Sequence, residues 1–131
     1  MGLFSSGPSF SDHTDRLLDI VADSSNDAKR RDALDKLARQ EDGDTALAYC
    51  VVDKSLHGGD HFIREEAIEK MEYMRAEEEL DKLLDDNIDD RYKLAAIEAL
   101  GSIGADGKLG EIAHHFDGKN EKLSRKAFQY L

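Results

Sequence analysis

The feature that most constrains this chain is a short apolar pattern that occurs four times at nearly constant spacing. In each copy an alanine is followed at once by a large apolar residue, and four positions after the alanine by another apolar residue. The four alanines are separated by 34, 29 and 31 positions. A period in this range predicts stacked repeats, each burying its apolar stripe against the next. The pairs are Ala33 and Leu37, Ala67 and Met71, Ala96 and Leu100, and Ala127 and Leu131.

Composition and turn signals favour an all-α protein of eight helices in four hairpins. Helix-forming residues dominate, β-branched residues are few, and the one proline, Pro8, precedes the repeats. Short connections predict that neighbouring helices are antiparallel. The predicted helices run from Ser11 to Asp23, from Asn26 to Gln40, from Thr45 to His57, from Asp60 onwards, from Ala76 to Asp86, from Asp89 to Gly101 or Gly104, from Asp106 onwards, and from Asn120 onwards. Asn26, Asp60, Asp89 and Asp106 are the predicted N-caps, and Gly58-Gly59 is the predicted stop of the third helix.

The first ten residues differ in composition from the remainder. Residues 1–10 are rich in Gly, Ser and Pro, which predicts a flexible segment, and residues 11–131 are predicted to form one repeat domain. Met1-Gly2 with Ser6 matches the N-myristoylation pattern; the alternative, which we favour, is an ordinary flexible start with Phe10 packed on the first helix. Because no secretory signal and no apolar run of roughly 20 residues is present, we expect a cytoplasmic protein without membrane association, acylation of Gly2 being the exception.

The charge of the chain bears on its partners. It contains 29 Asp and Glu against 18 Lys and Arg, for a formal net charge of −11. Nucleic-acid backbones are bound through clustered basic residues. Nucleic acid is therefore not an expected partner. The acidity otherwise suits solubility or a salt-rich cytosol, although the ten lysines weaken the second explanation.

The stretch AAIEALGSIGADGKLGEIAHHF, residues 95–116, resembles the short HEAT-like repeat named after phycobilisome (bilin) lyases. That repeat is about 30 residues long, with a basic residue three positions before the alanine and a Leu-Gly-x-x-Gly ending. The ending is clear only at Leu100, Gly101 and Gly104. The basic position holds Arg30, Arg64 and Lys93, with Ser124 in the last repeat.

The resemblance covers about residues 11–131 and implies an α-α superhelix, that is, a HEAT-like α-solenoid. It also suggests a structural role for the basic position, in which a turn carboxylate such as Asp60 or Asp89 binds the basic residue of the same repeat or of the one before. Such repeats serve enzymes, adaptors and scaffolds alike, so the resemblance indicates the fold more strongly than the function.

In this architecture the second helix of each hairpin lines the concave face. The position two after each alanine lies roughly opposite the buried stripe, and repeats stack about 10 Å apart. We therefore expect a mostly acidic ladder formed by Asp35, Glu69, Glu98 and Gln129, extended by Asp32, Arg39, Glu66, Tyr73, Ser102 and Lys126. This ladder predicts a groove for a protein segment that is basic at the contact. The alternative is an ordinary charged helix face.

No residues stand at a spacing typical of a catalytic site, so we predict no catalytic residue. Cys50, the only cysteine, lies in the apolar run ALAYCVV and is expected to be a small buried hydrophobe that forms no internal disulfide. The leading interpretation is a non-enzymatic interaction module or scaffold. The runner-up, which rests on the resemblance alone, is an enzyme or enzyme subunit similar to bilin lyases. Its candidate reactive residues are Cys50, His61, His114 and Tyr73.

Metal binding is not predicted either, and no cofactor is expected. His114 and His115 are adjacent, so their imidazoles point about 100° apart on a helix. The chain has no His-Glu dipeptide of the kind that a HEAT-repeat iron hydroxylase family uses for its ligands. Asp85, Asn87 and Asp89 are spaced like the start of a calcium loop, but the glycine and the bidentate glutamate that the loop requires are missing.

The end of the last repeat predicts self-association. Solenoids need terminal repeats with polar outer faces, whereas this chain stops at Phe128-Gln129-Tyr130-Leu131. We expect an apolar edge around Phe116, Phe128 and Leu131, continued by further sequence or paired with a second copy. The alternative is that Phe128 folds back against the seventh helix.

Overall fold

The computed structural model describes residues 9–53, 56 and 60–131, and within these residues the chain is all-α without any strand. These described residues form eight helices, as predicted. They are α1 (Asp12–Asp23), α2 (Asp27–Leu37), α3 (Gly43–Val52), α4 (His61–Tyr73), α5 (Glu77–Leu83), α6 (Asp90–Ile103), α7 (Asp106–Phe116) and α8 (Glu121–Phe128). None of the described helices combines the length and the apolar character that a membrane crossing requires.

Two sequence predictions fall largely on residues outside the described ranges. The predicted flexible start, with the acylation pattern at Gly2, lies there except for residues 9 and 10. The predicted glycine stop at Gly58-Gly59 also lies there, whereas α3 itself ends earlier than predicted, at Val52. Phe10 lies against Tyr49 of α3, with the ring centroids 6.0 Å apart.

Four of the described helices begin with a side-chain cap; of the predicted caps, Asp106 is wrong, and Asp60 has the predicted position without the capping bond. The side chains of Ser11, Asn26, Asp89 and Asn120 accept hydrogen bonds from backbone N–H groups of the first turns of α1, α2, α6 and α8. Asp106 was predicted to cap α7 but is its first residue, and Ala105 occupies the cap position. Asp60 stands at the cap position of α4 without making the capping bond, because its carboxylate is bound by Arg30 instead.

The helices pack as four successive pairs, α1 with α2, α3 with α4, α5 with α6, and α7 with α8. The second helices contact one another in turn, α2 with α4, α4 with α6, and α6 with α8, and α1 contacts α3, which contacts α5. The four repeat alanines, Ala33, Ala67, Ala96 and Ala127, are at most 2% exposed. Small side chains at these positions let neighbouring helices approach closely.

The C-terminal turn departs from the repeat pattern. Leu37, Met71 and Leu100 are fully buried, but Leu131 is 61% exposed because α8 ends at Phe128 and Leu131 leaves the helical stripe. Phe128 is 71% exposed, so it does not fold back on α7. The predicted apolar edge therefore contains these two residues but not Phe116, which is partly buried against the core. Tyr130 packs on Gly101 of α6, where a larger residue would collide with its ring.

The basic position of the repeat supplies a donor to the end of the preceding helix. The last carbonyl groups of a helix have no partner within that helix. Arg30 Nε donates to the Val21 carbonyl of α1 at 2.8 Å, and Arg64 Nε donates to the Val51 carbonyl of α3 at 3.1 Å. In the last repeat Ser124 Oγ donates to the Ala113 carbonyl of α7 at 2.8 Å. Serine thus performs with a short side chain what arginine performs with a long one.

Arg30 also connects the first hairpin to the second. Its Nη1 donates to Asp60 Oδ1 at 3.1 Å, and its Nη2 lies 2.9 Å from Oδ2 without being aligned for a hydrogen bond. Arg30 is only 6% exposed, and the Phe62 ring lies over its guanidinium at 5.5 Å. The bond to Asp60 raises the pKa of Arg30. The carboxylate thus binds the basic residue of the repeat before, whereas Asp89 caps α6 by accepting from the Arg91 N–H at 2.9 Å.

We expect Arg30→Met to lower the free energy of unfolding by about 3 kcal/mol, because it removes a buried guanidinium that binds Asp60 and donates to the Val21 carbonyl. Arg31→Met is the matched control. Arg31 pairs with Glu66 at 2.8 Å, but its side chain is 54% exposed, so its loss should cost about 0.5 kcal/mol. Urea unfolding at pH 7, followed by circular dichroism, measures both. Equal losses in the two variants would contradict the role given to Arg30.

We expect Gly43→Ala to destabilise the protein by about 2 kcal/mol through overpacking. A Cβ atom on Gly43 would lie 2.1 Å from the Leu37 carbonyl oxygen, because α3 begins directly behind the end of α2. Gly110→Ala in α7 is the control, since a Cβ there meets no atom within 4 Å. Alanine should stabilise that helix by about 0.5–1 kcal/mol. Thermal unfolding of the two variants should therefore shift in opposite directions.

Candidate functional site

An open groove of about 1130 Å³ runs across the second helices α2, α4 and α6, and we term it the central groove. Its walls are charged and its floor is apolar. The residues that line it are Asp35, Ala38, Arg39, Glu65, Ile68, Glu69, Lys70, Glu72, Tyr73, Met74, Arg91, Ala95 and Glu98. Five of them are acidic and three are basic, so the groove carries a small negative excess.

The central groove brings together half of the predicted binding residues: Asp35, Arg39, Glu69, Tyr73 and Glu98. A smaller groove of about 470 Å³ between α6 and α8 contains Gln129 and Lys126, together with Glu98 at the boundary of the two. The remaining predicted residues, Asp32, Glu66 and Ser102, line neither groove. Asp32 pairs with Lys36 within α2 at 2.9 Å, and Glu66 accepts from Arg31.

The predicted acidic ladder is in fact an alternating ladder of charges. Asp35 is bound by Lys70 of the next repeat, and Glu98 is bound by Lys126 of the next repeat at 2.8 Å. The hydrogen bond to Glu98 raises the pKa of the Lys126 ammonium. Arg91 reaches back from α6 to Glu65 on α4 at 2.5 Å. Since the carboxylates are about half exposed, such pairs contribute little stability.

Two carboxylates in the middle of the groove lack such a partner. In the part of the chain that the structure describes, neither Glu69 nor Glu72 has an ion pair. They are three residues apart on α4 and so lie on one side of that helix. Tyr73 follows them and is 91% exposed. The groove thus presents two uncompensated negative charges and an open aromatic ring above the apolar side chains of Ala38, Ile68 and Ala95.

Sequence reasoning missed Lys70, Arg91, Glu65 and Glu72 as groove residues. A signal for the pairing was present. Oppositely charged residues recur at separations close to the repeat length, as in Asp35 with Lys70, Glu98 with Lys126 and Glu78 with Lys108. Opposite charges one repeat apart thus indicate which pairs can form, and stacking of the repeats decides which of them do, as for Asp35 and Glu98.

The candidate reactive residues are dispersed. Cys50 is 2% exposed within the core, and burial raises the pKa of its thiol to about 12. His61 Nδ1 lies 2.7 Å from the Tyr92 hydroxyl. His114 is exposed on α7, and Tyr73 is the last residue of α4. Among residues 9–53, 56 and 60–131, no three His, Cys, Asp or Glu side chains converge as a metal site requires. The lyase-like interpretation therefore still rests on the resemblance.

Comparison of the chain with models of protein families, with curated proteins and with solved structures finds no match. The function must therefore be inferred from the groove and its chemistry.

We expect the Cys50 thiol of the native protein to react with a water-soluble disulfide reagent at neutral pH roughly a hundredfold more slowly than the unfolded chain does, because reaction needs an exposed thiolate. The same protein in concentrated urea provides the reference rate, and the single cysteine makes the signal unambiguous. Fast reaction of the native protein would show that Cys50 is accessible and would reopen it as a nucleophile.

Proposed function

We propose that this chain is a non-enzymatic interaction module, an α-solenoid of HEAT-like repeats that binds a basic protein segment in the central groove. The order of helix contacts supports the solenoid arrangement, because the second helices α2, α4, α6 and α8 contact one another in succession. A row of second helices exposes one continuous face, which is how repeat proteins form extended binding surfaces. On this proposal the central groove is the concave face.

The observation that carries the proposal is the pair Glu69 and Glu72 beside Tyr73. The other groove carboxylates Asp35, Glu65 and Glu98 already have cations from neighbouring repeats, so these two are the ones with charge to offer. An Arg or Lys of a partner would bind and neutralise these carboxylates through charge-assisted hydrogen bonds. An exposed tyrosine is a favoured anchor at protein interfaces, and a cationic side chain can also stack on its ring.

The apolar floor determines the kind of segment that fits. Ile68 is 3% exposed and forms the base of the groove with Ala38 and Ala95. Small side chains there leave room for a partner residue of some size. We infer a segment in which an apolar residue alternates with one or two basic residues. The acidic surface of the chain would speed its approach, and binding would weaken as salt is added.

Selection of short random peptides on the immobilised protein tests this proposal. Selected peptides should be enriched in Arg or Lys next to an apolar residue. Glu69→Lys should weaken the best peptide about tenfold, which corresponds to 1.4 kcal/mol, because it replaces an attractive contact by a repulsive one. Fluorescence anisotropy of the labelled peptide gives the dissociation constants.

Asp19→Lys is the matched control for this experiment. Asp19 is exposed on α1, outside the central groove, and its substitution makes the same change in net charge. It should alter the affinity no more than about twofold, through long-range attraction alone. Peptides without basic enrichment, or equal affinity for wild type and Glu69→Lys, would refute the central groove as the binding site.

A further inference from the structure

Charge is distributed unevenly along the chain. Residues 105–131, which contain α7 and α8, carry five basic and four acidic residues. Residues 1–104 carry 13 basic and 25 acidic residues. The last hairpin is therefore slightly basic, whereas the rest of the protein is strongly acidic. One part of the molecule thus has the charge that the proposed function requires of a partner.

The basic residues of α8 form a defined stripe with an aromatic residue. Lys122, Arg125 and Phe128 follow one another at intervals of three on α8, so they lie along one side of the helix. All three are exposed, Phe128 by 71%. Neither Lys122 nor Arg125 has an ion pair in the described ranges, whereas Lys126 is already bound to Glu98. We term Lys122, Arg125 and Phe128 the α8 stripe.

The α8 stripe and the central groove match in charge, spacing and apolar character. Lys122 and Arg125 are three residues apart on a helix, as are Glu69 and Glu72, so two crossing helices can bring both cations to both carboxylates. The exposed ring of Phe128 matches the apolar floor beside Tyr73. The α8 stripe thus offers two cations and an aromatic ring, and the central groove offers two carboxylates and an apolar floor.

The stripe cannot enter the groove of its own chain. α8 packs against α6 and α7, and α6 stands between it and α4, which carries Glu69 and Glu72. The match can be realised only between molecules.

We propose that a second copy of this chain is a partner of the central groove, with the α8 stripe of one copy docked into the groove of another. This inference rests on the proposed function and names its partner. Lys122 and Arg125 face Glu69 and Glu72, and Phe128 covers the apolar floor. Because stripe and groove are different surfaces, the contact either occurs twice in a closed dimer or propagates from copy to copy.

The net charge of −11 opposes the approach of two copies, but this repulsion is long-ranged. At about 0.15 M salt the Debye length is about 8 Å, so distant charges are screened while ion pairs in contact persist. A contact of one helix stripe in one groove is small, and small interfaces associate weakly. Association should therefore be evident at high protein concentration and physiological salt.

Sedimentation equilibrium over a range of concentrations tests the inference. The average mass of the wild-type protein should rise above the 14.6 kDa of one chain. Glu69→Lys and Arg125→Glu should each weaken association at least about tenfold, because each creates a like-charge contact. The equimolar mixture of the two variants should associate again, because the intact groove of one meets the intact stripe of the other. The double variant should also associate, since its charges are exchanged.

Asp19→Lys and Arg16→Glu are the matched controls, because both residues are exposed on α1. These substitutions change the net charge by the same amounts as Glu69→Lys and Arg125→Glu, respectively. Both should associate like the wild type. Circular dichroism establishes that every variant is folded.

A wild-type protein that stays monomeric at all concentrations would overturn the inference, and so would a mixture that fails to associate. Association that Phe128→Asp abolishes but Glu69→Lys leaves intact would also overturn it, since the stripe would then pair outside the groove. If selected peptides still bind the groove in these cases, the proposed function stands and only the second copy is excluded as its partner. If no basic peptide binds either, both proposals fail.

Discussion

The structure depends on hydrogen bonds that side chains of the second helix of a hairpin donate to the C-terminal carbonyl groups of the first helix. The C-terminal carbonyl groups of a helix must find partners when they are covered by another layer. Arg30 does this for α1, and Arg64 does it for α3, where its Nη2 also donates to the carbonyl groups of Asp53 and Leu56. Ser124 does it for α7. The same repeat position thus closes the first, second and fourth hairpins.

The way in which the hairpins stack has a consequence for the surface. The second helices contact one another in sequence, so equivalent positions of successive repeats come to lie side by side. Opposite charges at these positions meet as ion pairs between repeats, as for Asp35 with Lys70 and Glu98 with Lys126. Exposed pairs of this kind contribute little to stability, but each of them neutralises one carboxylate of the groove. Among the described residues, Glu69 and Glu72 are the groove carboxylates that form no such pair, and they lie at the centre of the groove.

The helices were predictable because their signals are local. Apolar periodicity and the capping side chains of Asn26, Asp89 and Asn120 lie within a few residues of the helices that they specify. The cap predicted at Asp106 was wrong because α7 begins one residue earlier than the cap requires, with Ala105 at the cap position and Asp106 as the first helical residue. Leu131 is exposed although it has the spacing of Leu100, because helical spacing has no meaning once α8 has ended.

Features that depend on how hairpins stack were not predictable from one sequence. The position two after each alanine did identify three groove carboxylates, Asp35, Glu69 and Glu98. Which of them is compensated depends on whether a cation of the next repeat reaches it, and repeat spacings of 34, 29 and 31 shift that offset from repeat to repeat. A close approach of two helices is equally hard to read from sequence: α3 begins directly behind the Leu37 carbonyl, which requires a glycine at position 43. Charge pattern and repeat length together determine the charge along the row of second helices: α2, α4 and α6 line a groove with an acidic excess, and α8 carries the basic residues Lys122 and Arg125. Two like faces of such a row repel each other and two unlike faces attract, so its polarity favours contacts between groove and stripe over contacts between two grooves.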